Sequence, residues 1–152
     1  MSVHRRDLLR AGFGLVACPI VMACAVSDTL SPEAKAPDDA VLQRDDFIEV
    51  DTARVPQWRT GEAGETAVIF LAAQLIVVRR TPSSFIALSA VCPHAGCGVS
   101  AVQAPRLLCP CHGSEFDFAG NRLAGPAPTG LTVLESSFDA VTQRLRVIRR
   151  SS

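Results

Sequence analysis

Cys92-Pro93-His94-Ala95-Gly96-Cys97 is followed, after eleven residues, by Cys109-Pro110-Cys111-His112-Gly113-Ser114. Each stretch offers one thiol and one imidazole at C-x-H or C-x-x-H spacing, together with one further cysteine. Two thiolates and two imidazoles form a metal-binding set. Structural zinc takes such Cys and His ligands. The same four donors, divided two and two, also suit a two-iron, two-sulfide centre with its cysteines on one iron and its histidines on the other.

The flanking sequence is that of short strands. Phe47-Ile48-Glu49-Val50 begins the pattern, and Thr66 to Ala72 and Gln74 to Arg79 are apolar, β-branched runs that pair through a turn near Ala72-Ala73. Phe85 to Ala90 delivers the chain to Cys92, and Arg106 to Leu108 delivers it to Cys109. Glu115 to Phe118, Arg122-Leu123, Leu131 to Glu135 and Leu145 to Arg149 complete the sheet, with Gly120-Asn121 as a hairpin turn. Short strands with Gly/Pro turns predict an all-β, antiparallel β-sandwich, with the two loops forming a small subdomain at one end. No internal repeat and no helix beyond the N-terminal leader is expected. The single Trp58 either plugs a sheet edge or faces a partner.

The two stretches match in full the pattern C-x-H-x-G-C … C-P-C-H-G-S and resemble the Rieske [2Fe–2S] family, specifically its disulfide-containing cytochrome bc-type branch. Gly125-Pro126-Ala127-Pro128 resembles the proline-rich loop that covers the cluster in that family, and the likeness runs from about Thr66 to Ile148. The resemblance implies Cys92 and Cys109 as ligands of one iron and His94 and His112 as ligands of the other. It further implies a Cys97–Cys111 disulfide, a hydroxyl at Ser114 hydrogen-bonded to a cluster sulfur, and Pro126 in the covering loop. Two departures stand out. Phe116 occupies the place where high-potential members carry tyrosine, and Ala95 stands where a larger apolar residue is common.

Centres with two histidines span about −150 to +300 mV, against about −400 mV for four-cysteine plant-type centres, because the less negative cluster accepts an electron more readily. Hydrogen bonds to the sulfurs raise the potential further. Without the tyrosine hydroxyl, this chain is expected below the top of that range, and Ser114 and the disulfide argue against the bottom. Imidazoles bound to iron couple proton uptake to reduction. By resemblance, His112 is the residue that hydrogen-bonds a quinol. The disulfide closes a ring of about 15 residues, worth ~3 kcal/mol in the chain-entropy model, and it implies an oxidising compartment.

Beyond Ala25 the chain holds four cysteines and two histidines, all within the two stretches, and it has no tyrosine. No histidine remains for a Ser/His/Asp or Cys/His catalytic set. Any catalysis beyond electron transfer is then left to a partner. The resemblance implies an electron-carrier subunit of quinol–cytochrome c reductase type, with quinol or a partner oxidoreductase as donor and a cytochrome or similar acceptor. The small subunit of an exported oxidoreductase such as arsenite oxidase resembles the same layout. From another class, a zinc-stabilised structural lipoprotein would be colourless.

His4-Arg5-Arg6-Asp7-Leu8-Leu9-Arg10 and the apolar run Ala11 to Val26 resemble a twin-arginine export signal. Val21-Met22-Ala23-Cys24 resembles a lipobox, which makes Cys24 a candidate for lipidation. Leu15-Val16-Ala17-Cys18, an A-x-A cleavage site at Ala23-Cys24-Ala25 and retention of the run as an anchor are the alternatives, although 16 residues fall short of a spanning helix. Residues 1–25 carry three arginines against one aspartate. The remainder carries twelve basic against fourteen acidic residues, and a mildly acidic head without a basic patch speaks against nucleic acid. The expected organisation is a leader over 1–25, a polar tether over 26–46 and the cluster domain over 47–150. The expected place is the periplasm or outer face of the cytoplasmic membrane, with attachment through the N-terminus.

Overall fold

Leu75-Ile76-Val77-Val78 is apolar without a break, and all four side chains are fully buried. A strand with one solvated face alternates, whereas a strand covered on both faces does not. In a computed structural model of the chain, which describes residues 36–59 and 64–149, this run lies in the middle of three sheets. The strands are β1 (Val41–Gln43), β2 (Phe47–Asp51), β3 (Thr66–Phe70), β4 (Leu75–Thr81), β5 (Ser84–Ser89), β6 (Ala101–Gln103), β7 (Arg106–Cys109), β8 (Ser114–Asp117), β9 (Arg122–Ala124), β10 (Val133–Leu134), β11 (Ser136–Asp139) and β12 (Arg144–Ile148). The middle sheet has the order β10-β5-β4-β3, a base sheet β1-β2-β12-β11 and a third sheet β6-β7-β8-β9, and every pairing is antiparallel.

Side chains alternate faces along a strand, and here the alternation distributes the middle sheet between two cores. Ala67, Ile69, Ile76, Val78 and Leu88 pack with Leu107, Phe116, Phe118 and Leu131 toward the third sheet. Val68, Phe70, Leu75, Val77 and Ala87 pack with Ile48, Val50, Leu145 and Val147 toward the base sheet. The expected sandwich is thus present, and the loop-bearing subdomain forms a third layer on the middle sheet. The predicted β3–β4 turn falls at Leu71–Ala73, with Gln74 left-handed at φ 50°.

Two expectations change. The polar tether does not extend to residue 46, because Ala36 and Ala40 are buried in the base core and β1 pairs with β2. The sequence 38–46 reads as polar because β1 exposes two of its three residues and is followed by an exposed turn. Trp58 does not face a partner. It is 5 % exposed and packs edge-on against Phe85 and tilted against Phe70. The leader, Cys24 and residues 26–35 of the expected tether lie outside the described residues. Among the described residues no helix is long and apolar enough to cross a membrane.

Candidate metal centre

β7 ends at Cys109 and β8 begins at Ser114, and these two residues pair directly, so Pro110-Cys111-His112-Gly113 forms the loop of a tight hairpin. The first loop is closed in the same manner by the Val91–Gly98 bridge and by the Cys92 N–H donating to the Cys97 carbonyl at 2.7 Å. In each loop a glycine four residues past the first cysteine returns its N–H to that cysteine's carbonyl: Gly96 to Cys92 at 2.9 Å and Gly113 to Cys109 at 3.1 Å. Both glycines are left-handed, at φ 75° and 72°. This turn lets each cysteine point inward while the next residues arch outward.

The result is a sided arrangement. Cys92 and Cys109 are 1 % and 2 % exposed and belong to the core beneath the third sheet. His94 and His112 are exposed, with ring centroids 4.7 Å apart and planes near perpendicular. Burial, followed by the hydrogen bond to the adjacent Cys92 thiol, pushes the Cys109 thiol up, although backbone N–H groups of Cys111 and His112 pull the other way. Cys97 and Cys111 form a disulfide that ties the loops together, with Cα atoms 6.5 Å apart. The sulfurs of Cys97, Cys109 and Cys111 lie within 4.8 Å of one another.

The covering loop docks through its Gly125 and Ala127 rather than through the Pro126 that the sequence singled out. A Cβ on Gly125 would lie 2.5 Å from both the Gly113 carbonyl oxygen and Ser114 Cα, so this close approach admits only glycine, and its φ of 86° requires the same. Ala127 is buried, and its N–H donates to Ser114 Oγ at 3.1 Å. Arg122 donates to the Gly125 carbonyl at 2.6 Å. Pro126, by contrast, is exposed, so the loop's buried contact comes from Ala127. Ser114 is fully buried and accepts from the loop, which leaves its hydroxyl proton free for a further acceptor. Phe116 is fully buried in the same core, and Ala95 is exposed at the tip of the first loop.

Two buried thiols in mutual contact beneath two exposed imidazoles fit a [2Fe–2S] cluster of mixed ligation, since sulfur donors favour the dry side and imidazoles tolerate water. The curated cytochrome b6-f complex iron-sulfur subunit of Synechococcus elongatus is 43 % identical over 51 residues, covering 33 % of this chain and 28 % of that protein. The chloroplastic subunit of Pisum sativum is 40 % identical over 60 residues, covering 39 % and 26 %. The chain therefore spans little more than a quarter of the length of these relatives. Among solved structures, the plasma membrane Rieske protein PetC3 of Synechocystis PCC 6803 is 27 % identical, with a TM-score of 0.45, over 57 % of this chain and 87 % of that one. The soluble domain of Rieske protein II of Sulfolobus acidocaldarius is 22 % identical, with a TM-score of 0.44, over 72 % and 67 %. The Rieske [2Fe-2S] domain pattern matches residues 50–135, which take in both loops and the covering loop. With more than half of its length matched and its thiols, imidazoles and lid disposed in this way, the chain belongs to the Rieske [2Fe–2S] domain family.

Proposed function

We propose that this protein is an exported Rieske electron carrier, tethered to a membrane by its N-terminus, that takes electrons from quinol as part of a cytochrome bc-type chain. The sidedness of the site carries this reading: a buried cysteine pair beneath an exposed histidine pair. Cys92 and Cys109 would hold one iron and His94 and His112 the other. When bound, the cluster supplies a single reversible electron. The thiols must be deprotonated to serve as ligands, and the buried Cys92–Cys109 contact keeps water from them. The exposed imidazoles can each present a ring nitrogen to a donor at the surface, where a proton and an electron leave together. His112 is the residue assigned to the quinol hydrogen bond. The lid, fastened through Gly125 and Ala127, covers Ser114 at the base of the second loop, and Ser114 has a proton to offer a sulfur.

The relatives named as b6-f subunits support the cytochrome-complex setting, and a cytochrome is the assigned acceptor. Residues 1–25 are assigned as the leader, with Cys24 as the lipidated terminus of the mature protein. The head takes in Ala36 and Ala40, and the tether is assigned to residues before them. Mixing the oxidised, cluster-loaded protein with a short-chain quinol tests the donor. Bleaching of the visible bands by quinol is expected. A protein reduced by dithionite but inert to quinol would instead be a relay for another oxidoreductase.

A further inference from the structure

Three polar residues are buried among the described residues: Thr52, Ser114 and Ser100. Thr52 donates to the Gln143 carbonyl at 2.9 Å, and Ser114 accepts from Ala127. Ser100 is 1 % exposed, and its hydroxyl has no partner. A buried hydroxyl left unpaired loses its water without compensation, so an acceptor is expected beside it.

The backbone says where that acceptor lies. The chain reaches Ser100 directly from the first loop, with Val99 donating to the Ala90 carbonyl at 2.7 Å. It then enters β6, whose first pair is Ala101 with Leu108. One step further along the ladder sets Ser100 level with Cys109. Val102 and its partner Leu107 pack in the core beneath the third sheet, and Cys109 belongs to that core. Two residues along an extended chain return to the same face, which places Ser100 and Cys109 on the core side together. No protein atom, the Cys109 sulfur included, accepts from the hydroxyl, so the acceptor is one that loading of the centre supplies.

We propose that the Ser100 hydroxyl donates a hydrogen bond to a sulfide that the loaded centre brings beside Cys109, and thereby favours the reduced state. The inference rests on the cluster assignment above. A donor to sulfur spreads the added negative charge and raises the potential. Ser100 thus supplies, from the β6 side, a hydroxyl of the kind that Phe116 lacks on the β8 side.

The test is the midpoint potential of the full-length, cluster-loaded protein and its Ser100→Ala and Ser100→Thr variants, followed by electron paramagnetic resonance. Ser100→Ala is expected to titrate at a lower potential with its spectrum and pH profile retained, and Ser100→Thr, which keeps the hydroxyl, to return toward the parent value. Ser100→Gly replaces the alanine variant should the latter not load. An unmoved potential in a hydroxyl-free variant with an intact Rieske spectrum would overturn the proposal and leave the cluster assignment standing. Absence of a Rieske spectrum from the parent protein would overturn the assignment itself, and the proposal with it.

Discussion

Gly125 shows how much of the site depends on a single missing methyl group. A side chain there would meet the Gly113 carbonyl and the Ser114 backbone at 2.5 Å, and backbone cannot step aside as a flexible side chain can. Gly125→Ala is expected to lift the lid and destabilise the domain by about 1–3 kcal/mol, read as a lower thermal midpoint and faster loss of visible colour. Phe116→Tyr places a hydroxyl on a fully buried ring in the core that holds Cys92 and Cys109. It is expected to raise the midpoint potential, and no rise on titration would refute the idea that a hydrogen bond is missing there. The cysteines and histidines were legible in the sequence because their spacing is local. Gly125 and Ala127 were legible only as members of a covering loop, and Ser100 not at all, because each matters through a contact with a different stretch of chain.

The β8–β9 hairpin makes the second ligand loop rigid from behind. Burial alone would raise the Asp117 carboxyl. Hydrogen bonds from the Asn121 side chain and from the N–H groups of Asn121, Ala119 and Gly120 outweigh it and hold the group below its ordinary value. A carboxyl depressed on folding contributes stability above its unfolded value and loses it as pH falls through the folded one. Asp117→Asn is therefore expected to be less stable than the parent near neutrality and to converge with it in acid, measured by thermal melts from about pH 7 to pH 3. The disulfide acts on the same elements, and replacing both Cys97 and Cys111 by serine is expected to lower stability by ~3 kcal/mol, checked by denaturant unfolding. Strands with strong apolar runs, β3 to β5 above all, were legible in the sequence. β1, β6 and β11 were not, since each is short, holds no fully buried residue and exists through pairing with a partner strand.

Across the whole molecule, one sheet serves two cores, and the ligand loops ride on the outer of them. The base layer carries no ligand, yet it covers one face of the middle sheet and so holds the platform on which the third sheet packs. A chain beginning at Phe47 would lose β1 and the buried Ala36 and Ala40, and is expected to melt below one beginning at Ala36. The all-β class and the gathering of the two loops in one small subdomain were readable from the motifs and turns. The third layer was not, because an apolar run reads the same whether one core or two receives it. The most direct test of the central claim is an electron paramagnetic resonance redox titration of the protein at several pH values. A Rieske-type signal at a positive potential that falls as pH rises from neutral to alkaline is predicted from the proposed ligation by two histidines. A negative, pH-independent potential, or bound zinc with no such signal, would contradict it.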